Sequence, residues 1–175
     1  MSKEIIVSIA DQTLTLINSG RPLRTYPVST ALKGVGERIG SSCTPRGQHR
    51  IRAKIGAGCA ENTVFVGRRP TGEIYSSILA ENYPARDWIL SRVLWLCGCE
   101  PGKNRFGTVD TMRRYIYLHG CPDSEPIGIP QSHGCIRMRN RDIIELFEMI
   151  EVGTTVRIQE DDSCLDTTFH VGASF

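Results

Sequence analysis

The sequence predicts a mainly β domain with one main α-helix that follows a cysteine-bearing loop. Three observations predict it. Apolar residues alternate with others in several short runs, the signature of strands with one buried face. A single segment, Ile143, Leu146, Phe147 and Ile150, instead repeats at helical spacing. Between these runs the chain is punctuated by glycine, proline, serine and asparagine, the chemistry of turns.

The elements follow in order. Ile5, Val7 and Ile9 alternate, Asp11-Gln12 can turn the chain, and Leu14 and Leu16 resume the alternation, which makes a hairpin. Asn18-Ser19-Gly20 marks the next turn, ahead of a strand through Tyr26 and Val28. Residues 31–47, rich in glycine, serine and lysine, read as a long loop. Further strands are expected near His49–Ala53, Thr63–Gly67, Glu73–Ser77, Trp88–Leu96 and Tyr115–His119, with a last one at Val156–Ile158. A short helix within Trp88–Leu96 is the alternative there. The aperiodic stretch between Cys97 and Asp110 holds three glycines and a proline. It is either a flank or flap of a functional site or an ordinary solvent loop. For the helix, Asn140 is the expected N-cap, Asp142 falls in the first turn, and Gly153 supplies the stop. Residues 159–175, with Glu160-Asp161-Asp162, depart from these patterns and read as a surface tail beyond a domain of residues 3–158.

Composition bounds the function. The 175 residues suffice for one domain with its own core, and 40% hydrophobic with 23% charged residues is globular. A net charge of +2 does not argue for nucleic acid, and the loose basic clusters lack interleaved aromatics. No apolar run is long enough to span a bilayer, so no membrane partner is expected. Met1 stands directly before a strand pattern with no signal-like segment, and seven cysteines, an odd number at irregular spacing, suit a reducing compartment. The expected location is the cytoplasm.

The chemistry concentrates in Ser132-His133-Gly134-Cys135-Ile136-Arg137-Met138, with His119-Gly120 upstream. Cysteine attacks as its thiolate, and an imidazole makes that thiolate available near neutral pH. Either His119 or His133 could be the base, His133 by proximity in sequence. Glycine before the cysteine opens the backbone, so the amides of Gly134 and Cys135 could face an oxyanion. The motif lies ahead of the helix, whose dipole would favour a thiolate. Ser132 can fix the loop by hydrogen bonding, and the planar fork of Arg137 suits a substrate carboxylate. The residues alone therefore point to cysteine acyl transfer on an anionic, peptide-like substrate.

A histidine, a spacer and then Ser-His-Gly-Cys resembles the active-site motif of the L,D-transpeptidase (YkuD-type) family. Lys3 to Thr15 resembles that family's opening hairpin, Tyr26-Pro27-Val28-Ser29-Thr30 its Tyr-Pro-Val-Ser-Thr strand, and Thr44-Pro45-Arg46-Gly47 its Thr-Pro-x-Gly turn. The resemblance covers residues 3–158 and implies a β-sandwich or barrel. It implies Cys135 as nucleophile and His119 as general base, oriented by a backbone carbonyl, most simply that of Gly120. His133 would then shape the pocket or the oxyanion site. The spacer from His119 to Ser132 is shorter than usual in the family, which implies a tighter loop. The resemblance further implies peptidoglycan stem peptides (muropeptides) as substrates, no cofactor, and a carbapenem as covalent inhibitor of the thiol. Together with the expected location, it favours an L,D-carboxypeptidase that trims tetrapeptides to tripeptides in murein recycling, over an L,D-transpeptidase.

Two readings compete. Cys97, Cys99, Cys121, His119 and Cys135 offer soft ligands for zinc, although their spacing lacks the paired Cys-x-x-Cys pattern. A silent peptidoglycan-binding module would tolerate loss of the cysteine or the base, and both are present. Cys43, Cys59 and Cys164 carry no visible chemistry.

Overall fold

The computed structural model describes residues 2–161. Its strands are β1 (Lys3–Ser8), β2 (Thr13–Asn18), β3 (Arg21–Pro27), β4 (Gly47–Ile55), β5 (Thr63–Val66), β6 (Arg69–Ile74), β7 (Ile89–Gly98), β8 (Tyr117–Gly120), β9 (Ile136–Met138) and β10 (Thr155–Gln159). Two α-helices accompany them, α1 (Ser77–Asn82) and α2 (Asn140–Met149).

All ten strands join one sheet. Its main path runs β3-β2-β1-β10-β4-β7-β5-β6, and β8 branches from β7 to carry β9. The apolar alternation seen in sequence faces one core: Ile5, Val7, Leu14, Leu16, Ile51, Leu94, Leu96, Leu118, Ile136 and Met138 are each fully buried there. The helix α2 packs on β7 and β8. It contributes Ile143, Leu146 and Phe147, each at most 2% exposed, and each such burial is worth about 1.5–3 kcal/mol.

Several expectations move. Of the segment Trp88–Leu96, all but Trp88 is strand, because residues 89–96 pair on both sides with β4, β5 and β8. The expected strand at Glu73–Ser77 is instead the end of β6 followed by α1, whose N-cap Ser76 accepts a hydrogen bond from Leu79 N at 3.1 Å. Asn140 is not the N-cap of α2. Arg139 holds that position without a side-chain cap, and Asn140 is the first helical residue. Its buried amide donates to Cys121 O at 2.9 Å and its Oδ1 accepts from Ser91 Oγ at 2.6 Å, so tertiary bonding has claimed the side chain. The helix ends at Met149 with Ile150 as C-cap, and Gly153 turns the chain afterwards at φ 92°.

The stretch after Cys97 is anchored rather than a flap. Asn104, fully buried, donates to Arg46 O and Gln48 O at 3.0 Å, and Glu100 accepts from Gln48 N at 2.6 Å. The domain also runs slightly past residue 158. Gln159 ends β10, Glu160 O accepts from Ala10 N at 2.9 Å, and the Glu160 carboxylate pairs with Arg46. The rest of the expected tail, with Cys164, lies outside the described residues.

Candidate active site

Two short parallel strands bring the motif residues together. In the register of β8 with β9, Leu118 faces Ile136 and His119 faces Arg137. Strand alternation then sends Leu118, Ile136 and Met138 into the core. It leaves Tyr117, His119, Cys135 and Arg137 on the other face. Diagonal neighbours on such a face lie about 7–8 Å apart, so the thiol of Cys135 and the ring of His119 share one surface.

The ring of His119 is fixed. It is 1% exposed, and Nδ1 lies 2.7 Å from Gly120 O. A carbonyl can only accept, so Nδ1 carries the hydrogen and Nε2 keeps its lone pair. This is the carbonyl the sequence pointed to. Burial also lowers the imidazole pKa below its ordinary value, so the ring is neutral near pH 7.

The thiol is neutral too. Burial pushes the Cys135 pKa up to about 11, and Asp87 adds to that. The Tyr117 N–H, Arg137 and Arg114 pull the other way without overcoming it. The Sγ atom accepts from Tyr117 N at 3.3 Å and donates to Tyr115 O at 3.4 Å. The helix-dipole expectation fails, because β9 separates Cys135 from α2 and puts the helix N-terminus a strand away.

A splint shapes the cysteine loop. Residues 28–32 run beside it, with Ser29 and Arg137 exchanging backbone hydrogen bonds at 2.9 Å and Leu32 N donating to Ser132 O at 2.9 Å. Thr44 Oγ1 donates to Gly134 O at 3.0 Å. Ser132, 2% exposed, performs its expected bonding: its hydroxyl donates to Cys135 O at 2.5 Å and accepts from Gly134 N at 3.2 Å. The Gly134 N–H is thereby engaged, contrary to the expectation of two free amides. The Cys135 N–H has no partner among the described residues. Gly134 itself has φ 131°, where a side chain would be strained.

Arg137 is not an open fork. It is 7% exposed, with one nitrogen 3.0 Å from Asp87 Oδ1 and another 3.8 Å from Glu125. His133 does not share the buried site of His119. It is exposed, with Nδ1 3.5 Å from Asp87 Oδ2. Asp87 thus links the two motif side chains, and nothing in the sequence marked it, 32 residues before His119. Asp87, Trp88, Glu125, Gln131, His133 and Arg137 line a cleft of about 290 Å³ at the edge of the site.

Arg114 was also missed. Half-buried, it donates to Cys43 O at 2.6 Å and Gly36 O at 3.0 Å, tying the long loop to the turn that bears Tyr115, just before β8. The soft ligands do not gather: among the described residues no group of three or more His, Cys, Asp or Glu could hold a metal. Cys97, on β7, pairs with Arg50 of β4, and Cys121 donates to Met138 O.

A family model described as the L,D-transpeptidase catalytic domain matches residues 2–158. A Bacillus subtilis protein named as the L,D-transpeptidase YkuD is 28% identical over 156 residues, covering 88% of this chain and 64% of that protein. A second B. subtilis protein, named as the L,D-transpeptidase YqjB, is 40% identical over 57 residues, 33% of this chain and 32% of its own. The chain therefore spans less than two thirds of the length of these relatives. Among solved structures, L,D-transpeptidase 3 from Mycobacterium tuberculosis with a faropenem-derived adduct shares the fold, with TM-score 0.56 and 17% identity over 91% of this chain and 60% of that one. An L,D-transpeptidase from Mycobacterium smegmatis matches with TM-score 0.52 and 20% identity, over 90% and 58%.

Proposed function

The chain belongs to the L,D-transpeptidase catalytic domain family, and from that premise we propose that it is a cysteine acyl-transferase of peptidoglycan stem peptides, with water as acceptor. It is then an L,D-carboxypeptidase that converts tetrapeptide to tripeptide and releases D-alanine, in cytoplasmic murein recycling. The observation that carries the chemistry is the ring of His119, held through Nδ1 on Gly120 O on the same sheet face as Cys135.

Cys135 is the nucleophile and His119 the general base. Both start neutral, so the proton moves with the attack rather than before it. The S–H leaves Tyr115 O and gives its proton to Nε2 of His119, while sulfur bonds the carbonyl carbon of the L-centre. The oxyanion takes the Cys135 N–H, and such a donor is worth about 2.7–4 kcal/mol of barrier. The imidazolium protonates the departing amine, the C–N bond breaks, and a thioester remains. Water, deprotonated by the same imidazole, hydrolyses it.

Arg137 serves the substrate from inside an ion pair. A substrate carboxylate approaching it competes with Asp87, and a substrate ammonium meets Asp87 and Glu125 at the cleft. His133, at the same cleft, shapes the pocket. The cytoplasmic assignment is supported by the six described cysteines, all free thiols. No described helix is long and apolar enough to cross a membrane.

A second reading, transfer to a stem-peptide amine or exchange of the D-amino acid, is favoured by the names of the relatives. One experiment separates them. The protein is incubated with a disaccharide tetrapeptide, with and without a free D-amino acid, and the products are weighed. Tripeptide alone in both arms supports hydrolysis, whereas an exchanged tetrapeptide overturns it in favour of transfer. Full turnover by Cys135→Ala would overturn both.

A further inference from the structure

A second cleft, of about 260 Å³, opens between β4, β7 and the anchored stretch after Cys97. Four guanidiniums line it: Arg50, Arg52, Arg105 and Arg113. The sheet itself directs two of them. Arg50 and Arg52 alternate onto one face, and the register irregularity between Ile51 and Ala53 leaves Arg52 as the extra residue of a bulge, a device that re-aims a side chain. Arg50 lies across from Cys97 and donates to its sulfur from Nε at 3.4 Å. Along β7, Cys97 stands four residues from Val93, the partner of His119. The cleft is therefore about 13 Å along the strand from the candidate active site.

The charge in this cleft is mostly uncompensated. Its one carboxylate, Asp110, offsets only one of the four charges and makes its hydrogen bonds to backbone, with Oδ2 accepting from Phe106 N at 2.7 Å and Oδ1 from Arg113 N at 3.0 Å. Among the described residues none of the four arginines has an acidic partner within ion-pair distance. Elsewhere Arg24, Arg46, Arg86 and Arg157 each have a glutamate beside them. Four cations around one small space raise the local potential and favour entry of an anion.

We propose that this cleft binds a small phosphomonoester. A phosphate dianion presents three terminal oxygens to several guanidinium forks, the geometry in which arginine binds most strongly. With Asp110 counted, a monocarboxylate would leave two positive charges, whereas a phosphate dianion would leave one. Phe106, 55% exposed with Arg105 stacked 4.7 Å from its ring, and Met112 offer an apolar wall for the organic part. The volume of this open cleft suits a small molecule rather than an extended polymer.

The test is calorimetric titration of the full chain with inorganic phosphate and with glycerol phosphate at constant ionic strength. Saturable one-site binding of both is expected, with affinity at least tenfold weaker in Arg50→Gln/Arg113→Gln. The unliganded melting temperature shows whether that variant is folded, and if it is not, Arg105→Gln repeats the comparison. Heat that never saturates, equal binding by the folded variant, equal binding of acetate, or binding only of a glycerol-phosphate polymer would each overturn the proposal. Turnover is not the readout, so failure here leaves the catalytic assignment untouched.

Discussion

Replacing Gly120 with alanine should damage stability and activity together. Gly120 follows His119 on β8, and space rather than backbone angle requires glycine there. An added Cβ would stand 2.4 Å from Asn140 Oδ1 and 2.6 Å from Leu90 O, with Ile143 at 3.3 Å. Neither oxygen yields easily. One is backbone of the paired strand β7, and the other belongs to a side chain held by Ser91 and Cys121. Ordinary van der Waals contact needs about 3.5 Å, so β8 must retreat by about 1 Å. Overpacking of this kind costs about 1–3 kcal/mol. At about 2–4 °C per kcal/mol for a chain of this size, the melting temperature should fall by about 2–12 °C. The same shift moves the carbonyl that holds His119, and a displacement of about 1 Å at a catalytic group costs about 100-fold in rate. Calorimetry and mass-spectrometric turnover of tetrapeptide measure the two effects. An alanine variant with unchanged melting temperature and unchanged rate would refute both the packing argument and the role given to the Gly120 carbonyl.

Ser132→Ala should cost about 1–3 kcal/mol, because it strands the buried Gly134 N–H and Cys135 carbonyl; chemical denaturation measures it. Stability should also fall in acid through His49. Its buried ring, between Gly47 O and Thr111, has its pKa lowered to about 4. The unfolded chain takes up that proton first, so the contribution is complete above about pH 6.5 and lost as pH falls to about 4, a span worth about 3 kcal/mol. His49→Gln should flatten that slope. The acid limb of kcat/KM should lie below pH 6.5, since burial keeps His119 neutral there; a limb above 6.5 would contradict the assigned base. A carbapenem should leave one covalent mass adduct on the wild type and none on Cys135→Ala.

Local pattern carried much of this molecule in the sequence itself. Period-two apolar residues marked the hairpin of β1 and β2, and the 3.6 period of Ile143, Leu146, Phe147 and Ile150 marked α2, because both patterns follow from which faces must leave water. The Ser-His-Gly-Cys run and His119 announced cysteine chemistry, because few other arrangements need a thiol, an imidazole and an open backbone together. Only the tertiary structure decided what those groups meet. Asp87 on Arg137 and His133, the loop carbonyls on Arg114, and Asn140 turned inward instead of capping its helix are contacts between residues far apart in the chain. No spacing rule encodes them, since long-range partners are set by how the strands stack. The protonation states were likewise settled by burial, which makes the thiol and imidazole neutral partners where sequence proximity suggested a ready thiolate.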